Sequence, residues 1–145
     1  MQGQLTPSFG DYELIDTGDF EKLERFGQYV ARRPEPQAIW RRSLPEGEWR
    51  RMADAAFLRD VRSDERGEWR LRPGMPPRWT VAYEYKDMAL RMRLGLTSFK
   101  HVGIFPEQAA NWNFIYDNCR ALASGGTFPC LLYTSPSPRD RSVSR

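Results

Sequence analysis

The sequence predicts an α+β fold in which an antiparallel, β-rich region is followed by a helix. Three observations carry that expectation. Residues 79–96 alternate apolar and polar side chains on both sides of Lys86-Asp87, the period-two pattern of a half-buried hairpin. Residues 106–122 set apolar side chains at helical spacing behind a proline. Between Tyr12 and Arg72, short apolar runs are cut by Gly, Pro and Asp at intervals that suit strands.

Residues 1–10 show no periodicity and are expected to form a flexible terminus, which sets the β-rich domain at 11–98. Tyr12 to Asp16 suits a strand, and Asp16 to Asp19 a turn in which Gly18 takes positive φ. Leu23, Phe26 and Val30 fit helical spacing, but Gly27 interrupts them and Tyr29 to Arg32 reads extended before Arg33-Pro34. Two short strands are therefore expected there. Pro45 to Met52 is expected to form a short helix, with Pro45 near its start and Glu46 and Glu48 in its first turn. Ala55–Arg59 and Glu68–Arg72 read as strands joined by the polar loop from Arg62 to Gly67, and Pro73 to Pro77 breaks the chain. In the hairpin, Trp79, Val81, Tyr83 and Tyr85 face one way, and Met88 to Leu96 returns with Leu90, Met92 and Leu94 expected to be buried.

The stretch from Phe99 to Leu122 reads as the end of a strand, a tight turn and a helix. Pro106 suits the first helical position, where a missing N–H costs nothing. Glu107 complements the positive end of the helix dipole. Ala109, Trp112, Ile115, Tyr116, Cys119 and Leu122 then recur at helical spacing, and Gly125-Gly126 supplies a stop.

A chain of 145 residues with 40% hydrophobic and 13% aromatic content suits one globular domain. No run approaches the ~18 apolar residues of a membrane span, and the N-terminus lacks a charged region followed by an apolar one. A soluble, cytoplasmic protein without a membrane partner is the expectation. From Cys130 to Asp140 the chain reads C-L-L-Y-T-S-P-S-P-R-D, which resembles a translation of the transposase mosaic-end adapter used in sequencing libraries. Residues 130–145 are accordingly expected to be a disordered, adapter-derived tail and are set aside from fold reasoning. That tail carries three arginines and one aspartate, so 22 Lys+Arg against 19 Asp+Glu becomes 19 against 18. The near-neutral remainder makes the sequence pI of about 9.1 a weak argument for nucleic-acid binding. It also leaves one cysteine, which excludes a disulfide framework.

The segment G-I-F-P-E-Q at 103–108, after an extended stretch and before an aromatic-rich helix, resembles the lead-in segment of class I S-adenosylmethionine-dependent methyltransferases. It is similar to that of the bacterial large-subunit rRNA cytosine-5 methyltransferases, with Glu107 where that family has Asp. A second block, D-x-G-D-x-x-K-L-E-R-F-G followed by R-P-x-P-Q-A-I-W, resembles the N-terminal β segment of the same enzymes. The resemblance implies that 99–129 holds the turn and first helix of a truncated Rossmann-like methyltransferase domain whose remainder is missing. It further implies S-adenosyl-L-methionine as cofactor of the intact parent, an RNA base as methyl acceptor, and catalytic residues in the missing domain.

By the same resemblance, Phe105 and Gln108 are cofactor-binding candidates, since in the family this turn packs beside the cofactor pocket. An equal reading makes them a helix-start motif, with Gln108 capping at the third helical position. Cys119 invites comparison with the thiolate of cytosine-5 methyltransferases, but on the apolar helix face it reads as a small buried hydrophobe. His101 is the only histidine, so no two-histidine metal site can be assembled and no metal is expected. The doublets Arg32-Arg33, Arg41-Arg42 and Arg50-Arg51, near Trp40, Trp49 and Trp69, offer a surface that stacks on RNA and contacts its phosphates. The competing and preferred reading of them is a solvated face.

The sequence thus leads to the N-terminal piece of an S-adenosylmethionine-dependent methyltransferase acting on rRNA or other structured RNA, inactive as this piece. The alternative is a free-standing β-rich module that binds RNA or protein without enzymatic activity. The gene sequence beyond Pro129 discriminates the two.

Overall fold

The computed structural model describes residues 7–63 and 66–125. Gly126 and the adapter-like tail at 130–145 lie outside the described residues. One compact unit ends at Ala109 and a second begins at Ala110.

The first unit holds a five-stranded sheet and a separate hairpin. Strands β1 (Tyr12–Gly18), β2 (Glu21–Phe26), β3 (Tyr29–Pro34), β4 (Ala55–Arg59) and β5 (Gly67–Leu71) are neighbours in chain order. Helix α1 (Glu46–Met52) lies in the connection between β3 and β4. Strands β6 (Arg78–Tyr85) and β7 (Met88–Gly95) form the hairpin. The sheet is mixed where an antiparallel one was expected, because β3 and β4 pair in parallel through Ala31↔Ala55 and Arg32↔Ala56. A parallel return needs a crossover of a dozen or more residues. Residues 35–54, with α1 inside them, supply it.

The first hairpin departs from expectation in its turn. β1 runs through Gly18, and the chain reverses at Asp19-Phe20, both at positive φ (49° and 65°). Gly18 does take the expected positive φ (153°), and a Cβ there would also lie 2.5 Å from the Arg42 backbone nitrogen. Earlier in β1 the register slips between Leu14 and Asp16, so Ile15 is the extra residue of a bulge. Because side chains alternate with period two, one inserted residue exchanges the faces beyond it. Leu14 is thereby left 48% exposed while Asp16 turns inward.

The β6–β7 hairpin forms as predicted, with Trp79 opposite Leu94 and Val81 opposite Met92. Trp79, Val81, Tyr83 and Leu94 are buried, whereas Leu90 and Met92 are only half-buried. The apolar face is correct, but cover thins toward the turn. The Trp79 indole donates to the Phe26 carbonyl at 3.0 Å, and the Ala82 N–H donates to the Asp11 carboxylate at 2.7 Å. These bonds seat the hairpin against β2 and the start of β1. Phe9, assigned from sequence to a flexible terminus, is buried in an edge-to-face contact with Tyr83, ring centroids 4.9 Å apart. Its carbonyl accepts the Tyr12 N–H, so aromatic packing orders the chain before β1.

Phe99 makes a single bridge to Arg66 in place of the expected strand end. A one-turn 3-10 segment (Pro106–Gln108) then leads into α2 (Ala109–Ser124). Pro106 takes the expected first position. Along α2, Ala109 is buried, Cys119 is half-buried, and Ile115 and Leu122 are each more than 40% exposed. The expected buried role of Cys119 is thus only partly realised.

Candidate functional site

The lead-in turn is built on strict alternation. Val102, Ile104 and Pro106 point inward and are buried, while Gly103 and Phe105 point outward. Phe105 has extended backbone (φ −118°, ψ 96°) and its carbonyl accepts the Gln108 N–H at 2.9 Å. Its ring is 49% exposed and stands 5.4 Å from the exposed His101 ring. Phe105 therefore borders a concavity of about 200 Å3, shared with Lys22, Arg33, Glu35, Lys100, His101 and Glu107. Gln108 is exposed and outside that lining. Of the two predicted cofactor-contacting residues, one reaches a recess and the other does not.

Arg33, which lines this recess, belongs to a buried ion pair. Arg33 donates from Nε to Glu24 Oε2 at 2.5 Å and from Nη2 to Glu24 Oε1 at 3.0 Å. The bidentate geometry is the strong form of this contact. Tyr12 adds a hydroxyl donor to Glu24 Oε1 at 2.9 Å, and Lys22 stands 3.7 Å from the same oxygen. Burial, then the Glu24 carboxylate, pushes the Tyr12 phenol well above its ordinary value. Arg33 Nη1 also reaches the Lys100 carbonyl at 3.5 Å, linking β3 to the lead-in turn. Beside it, Lys22 pairs with Glu35 at 3.0 Å. Burial raises the Glu35 carboxyl, but the Lys22 ammonium and the Gln37 N–H hold it below the usual range.

These residues do not form a complete pocket for a nucleoside-sized cofactor. Ligand sites of that kind are typically ~300–1,000 Å3 and mostly apolar. Here the recess is smaller and largely charged, with Lys22 and Glu35 of its lining paired with each other.

A second buried carboxylate organises the far end of β1. Asp16 accepts from Thr17 N at 2.9 Å, Ser43 N at 3.2 Å, Leu44 N at 2.9 Å and the Trp49 indole at 2.8 Å. Its burial alone would raise the carboxyl, yet these four donors hold it below its ordinary value. Asp16, Glu24 and Tyr12 were not singled out from sequence. The β1 bulge that aims Asp16 inward has no mark in the residue pattern, and Glu24 shows only as one charge among many.

The arginine doublets are largely spent in internal pairs. Arg32 binds Glu21 at 2.7 Å and Glu46 at 2.8 Å, and Arg42 binds Glu21 at 2.6 Å and also Glu46. Trp49 is fully buried beneath Arg32 and Arg42, whose guanidinium carbons lie 5.4 and 4.3 Å from its ring. Trp69 is buried too, leaving Trp40, 52% exposed, beside exposed Arg41. Of the three tryptophans near the doublets, only Trp40 is exposed enough to stack. Among the described residues no group of three or more His, Cys, Asp or Glu side chains can hold a metal ion, and no helix is long and apolar enough to cross a membrane.

No family model and no curated protein matches the chain. Among solved structures, it is similar to the crystal structure of the SAM-dependent methyltransferase from Agrobacterium tumefaciens, with 35% identity and a TM-score of 0.69. The match covers 79% of this chain and 34% of that one, so the chain spans about a third of the length of the protein it resembles.

Proposed function

We infer that this chain is the N-terminal part of an S-adenosylmethionine-dependent methyltransferase, and that the intact protein methylates a base in structured RNA. The likeness to a SAM-dependent methyltransferase at 35% identity over most of this chain carries the reading. Support from the site is the outward-facing Phe105 at the foot of α2, where it offers one wall to a following domain. Gln108, exposed one turn on, is the second such wall residue. The cofactor supplies an electrophilic methyl group when bound. This chain's residues hold the lead-in turn in place: the Glu24–Arg33 pair fixes β3, and Arg33 in turn anchors the Lys100 carbonyl before the turn.

Cofactor sites of Rossmann-like sheets lie at the carboxyl ends of parallel strands, near the switch point. Residues 1–129 hold no such sheet in their described part. The piece is therefore expected to bind no S-adenosylmethionine and to transfer no methyl group. Reading the intact gene beyond Pro129 tests this. A strand, a glycine-rich turn and an acidic residue ending the next strand are expected. Their absence would overturn the enzyme reading and leave a free-standing binding module.

A further inference from the structure

On the face of the sheet that α1 flanks, the register places Arg32, Ala56 and Arg70 in one row across β3, β4 and β5. Adjacent strands lie ~4.8 Å apart, so the two arginine backbones stand roughly 10 Å apart with a methyl group between them. The result is a trough of about 290 Å3 lined by Ala53 and Ala56, by Arg32, Arg50, Arg70 and Arg72, and also by Asp54 and Leu71. Three of these arginines are ion-paired, Arg32 in a half-buried setting and Arg50 and Arg72 at the exposed surface. Arg32 is held by Glu21 and Glu46, Arg50 by Glu46 at 2.9 Å, and Arg72 by Asp54 at 3.1 Å and the Arg51 carbonyl at 2.6 Å. A guanidinium has five N–H donors, and these bonds leave some unused on each. Arg70 is exposed and, among the described residues, has no carboxylate within 4.0 Å. The arginines facing the trough outnumber the acids Glu21, Glu46 and Asp54 that face them.

We propose that this trough binds a phosphate of an RNA backbone, with Arg70 as the closing contact beside the ion-paired Arg32, Arg50 and Arg72. Planar guanidinium forks match phosphate oxygens bidentately, and donors already held by carboxylates lose less freedom on binding than unpaired ones. The small side chains of Ala53 and Ala56 let an oxyanion approach all four arginines. Only the RNA source of the phosphate rests on the acceptor proposed above; the anion-binding geometry stands apart from it.

The test is fluorescence anisotropy of a labelled oligouridylate against the chain, without methyl donor, at low salt, about 50 mM. Arg70→Glu should weaken binding about tenfold, and Arg70→Gln should do so less and reduce the salt slope by about one. Arg91→Glu, an equal charge change on the solvent face of β7, should change affinity less than about threefold. Equal losses for the Arg70 and Arg91 charge reversals, or no binding by the unaltered chain, would overturn the proposal. Competition by inorganic phosphate at equal concentration, or equal binding of a polyglutamate peptide, would overturn the RNA assignment. Because methyl transfer is never measured here, failure of this test leaves the enzyme reading to its own experiment.

Discussion

The β6–β7 hairpin and the β1–β3 part of the sheet are both antiparallel ribbons with an apolar core (Leu23, Phe26 and Ala31 in the second), yet only β1–β3 adds buried charge to it. The hairpin buries an alternating apolar face, with Trp79, Val81, Tyr83 and Leu94 inside. The β1–β3 ribbon buries charge: Asp16, Glu24 and Arg33 are each less than 10% exposed. Apolar burial is forgiving, since its worth scales with area. A buried ion pair must be geometrically complete, because its desolvation cost is offset only when every partner is present. The difference teaches where damage concentrates, and four measurements can break or sharpen it.

The largest effect is expected from Arg33→Ala, which removes the bidentate partner of Glu24 and leaves it in the interior with only the Tyr12 hydroxyl and Lys22 at 3.7 Å. Urea unfolding should show a loss of about 3–5 kcal/mol. A loss under about 1 kcal/mol would mean that water already reaches Glu24. Leu94→Ala comes next, at about 2–5 kcal/mol for a fully buried leucine, while Leu90→Ala should cost less because its site is half-solvated. If the two leucine variants cost the same, the graded cover along β7 is wrong.

Trp49→Phe removes one of four donors to Asp16 and should cost about 1–3 kcal/mol. It also sharpens a pH test. The Arg32, Arg50 and Arg42 guanidiniums hold the Glu46 carboxyl down to about 2, and Asp16 is likewise depressed. A carboxyl depressed on folding contributes stability that is present above its unfolded value, near 4, and lost as pH falls through the folded one. The thermal midpoint should therefore drop between about pH 4 and pH 2. In Trp49→Phe the Asp16 share of that drop should shrink, and an unchanged acid limb would remove Asp16 from the explanation. The smallest effect is expected from Arg51→Ala on α1. Its pair with Glu48 is solvent-exposed, so the midpoint should not move measurably.

The same contrast explains what could be read from sequence. The hairpin was legible because period-two alternation and a two-residue turn are local signals. Pro106 and the helix after it were legible for the same reason. The parallel β3–β4 pairing was not, since strand direction depends on how residues 35–54 cross over. Neither was the inward turn of Asp16, which one bulged residue at Ile15 decides. The pairing of the arginine doublets was not legible either, because composition shows charge but not its partners: Glu21 and Glu46 take Arg32, Arg42 and Arg50, and Glu24 takes Arg33.

The most direct test of the methyltransferase reading is transfer of tritium from methyl-labelled S-adenosylmethionine to large-subunit rRNA. It should be run side by side with the product of the intact gene and with this chain. The reading requires acid-precipitable label with the intact product and none with this chain. Label transferred by this chain itself, or an intact product that neither binds the cofactor nor labels RNA, would contradict it.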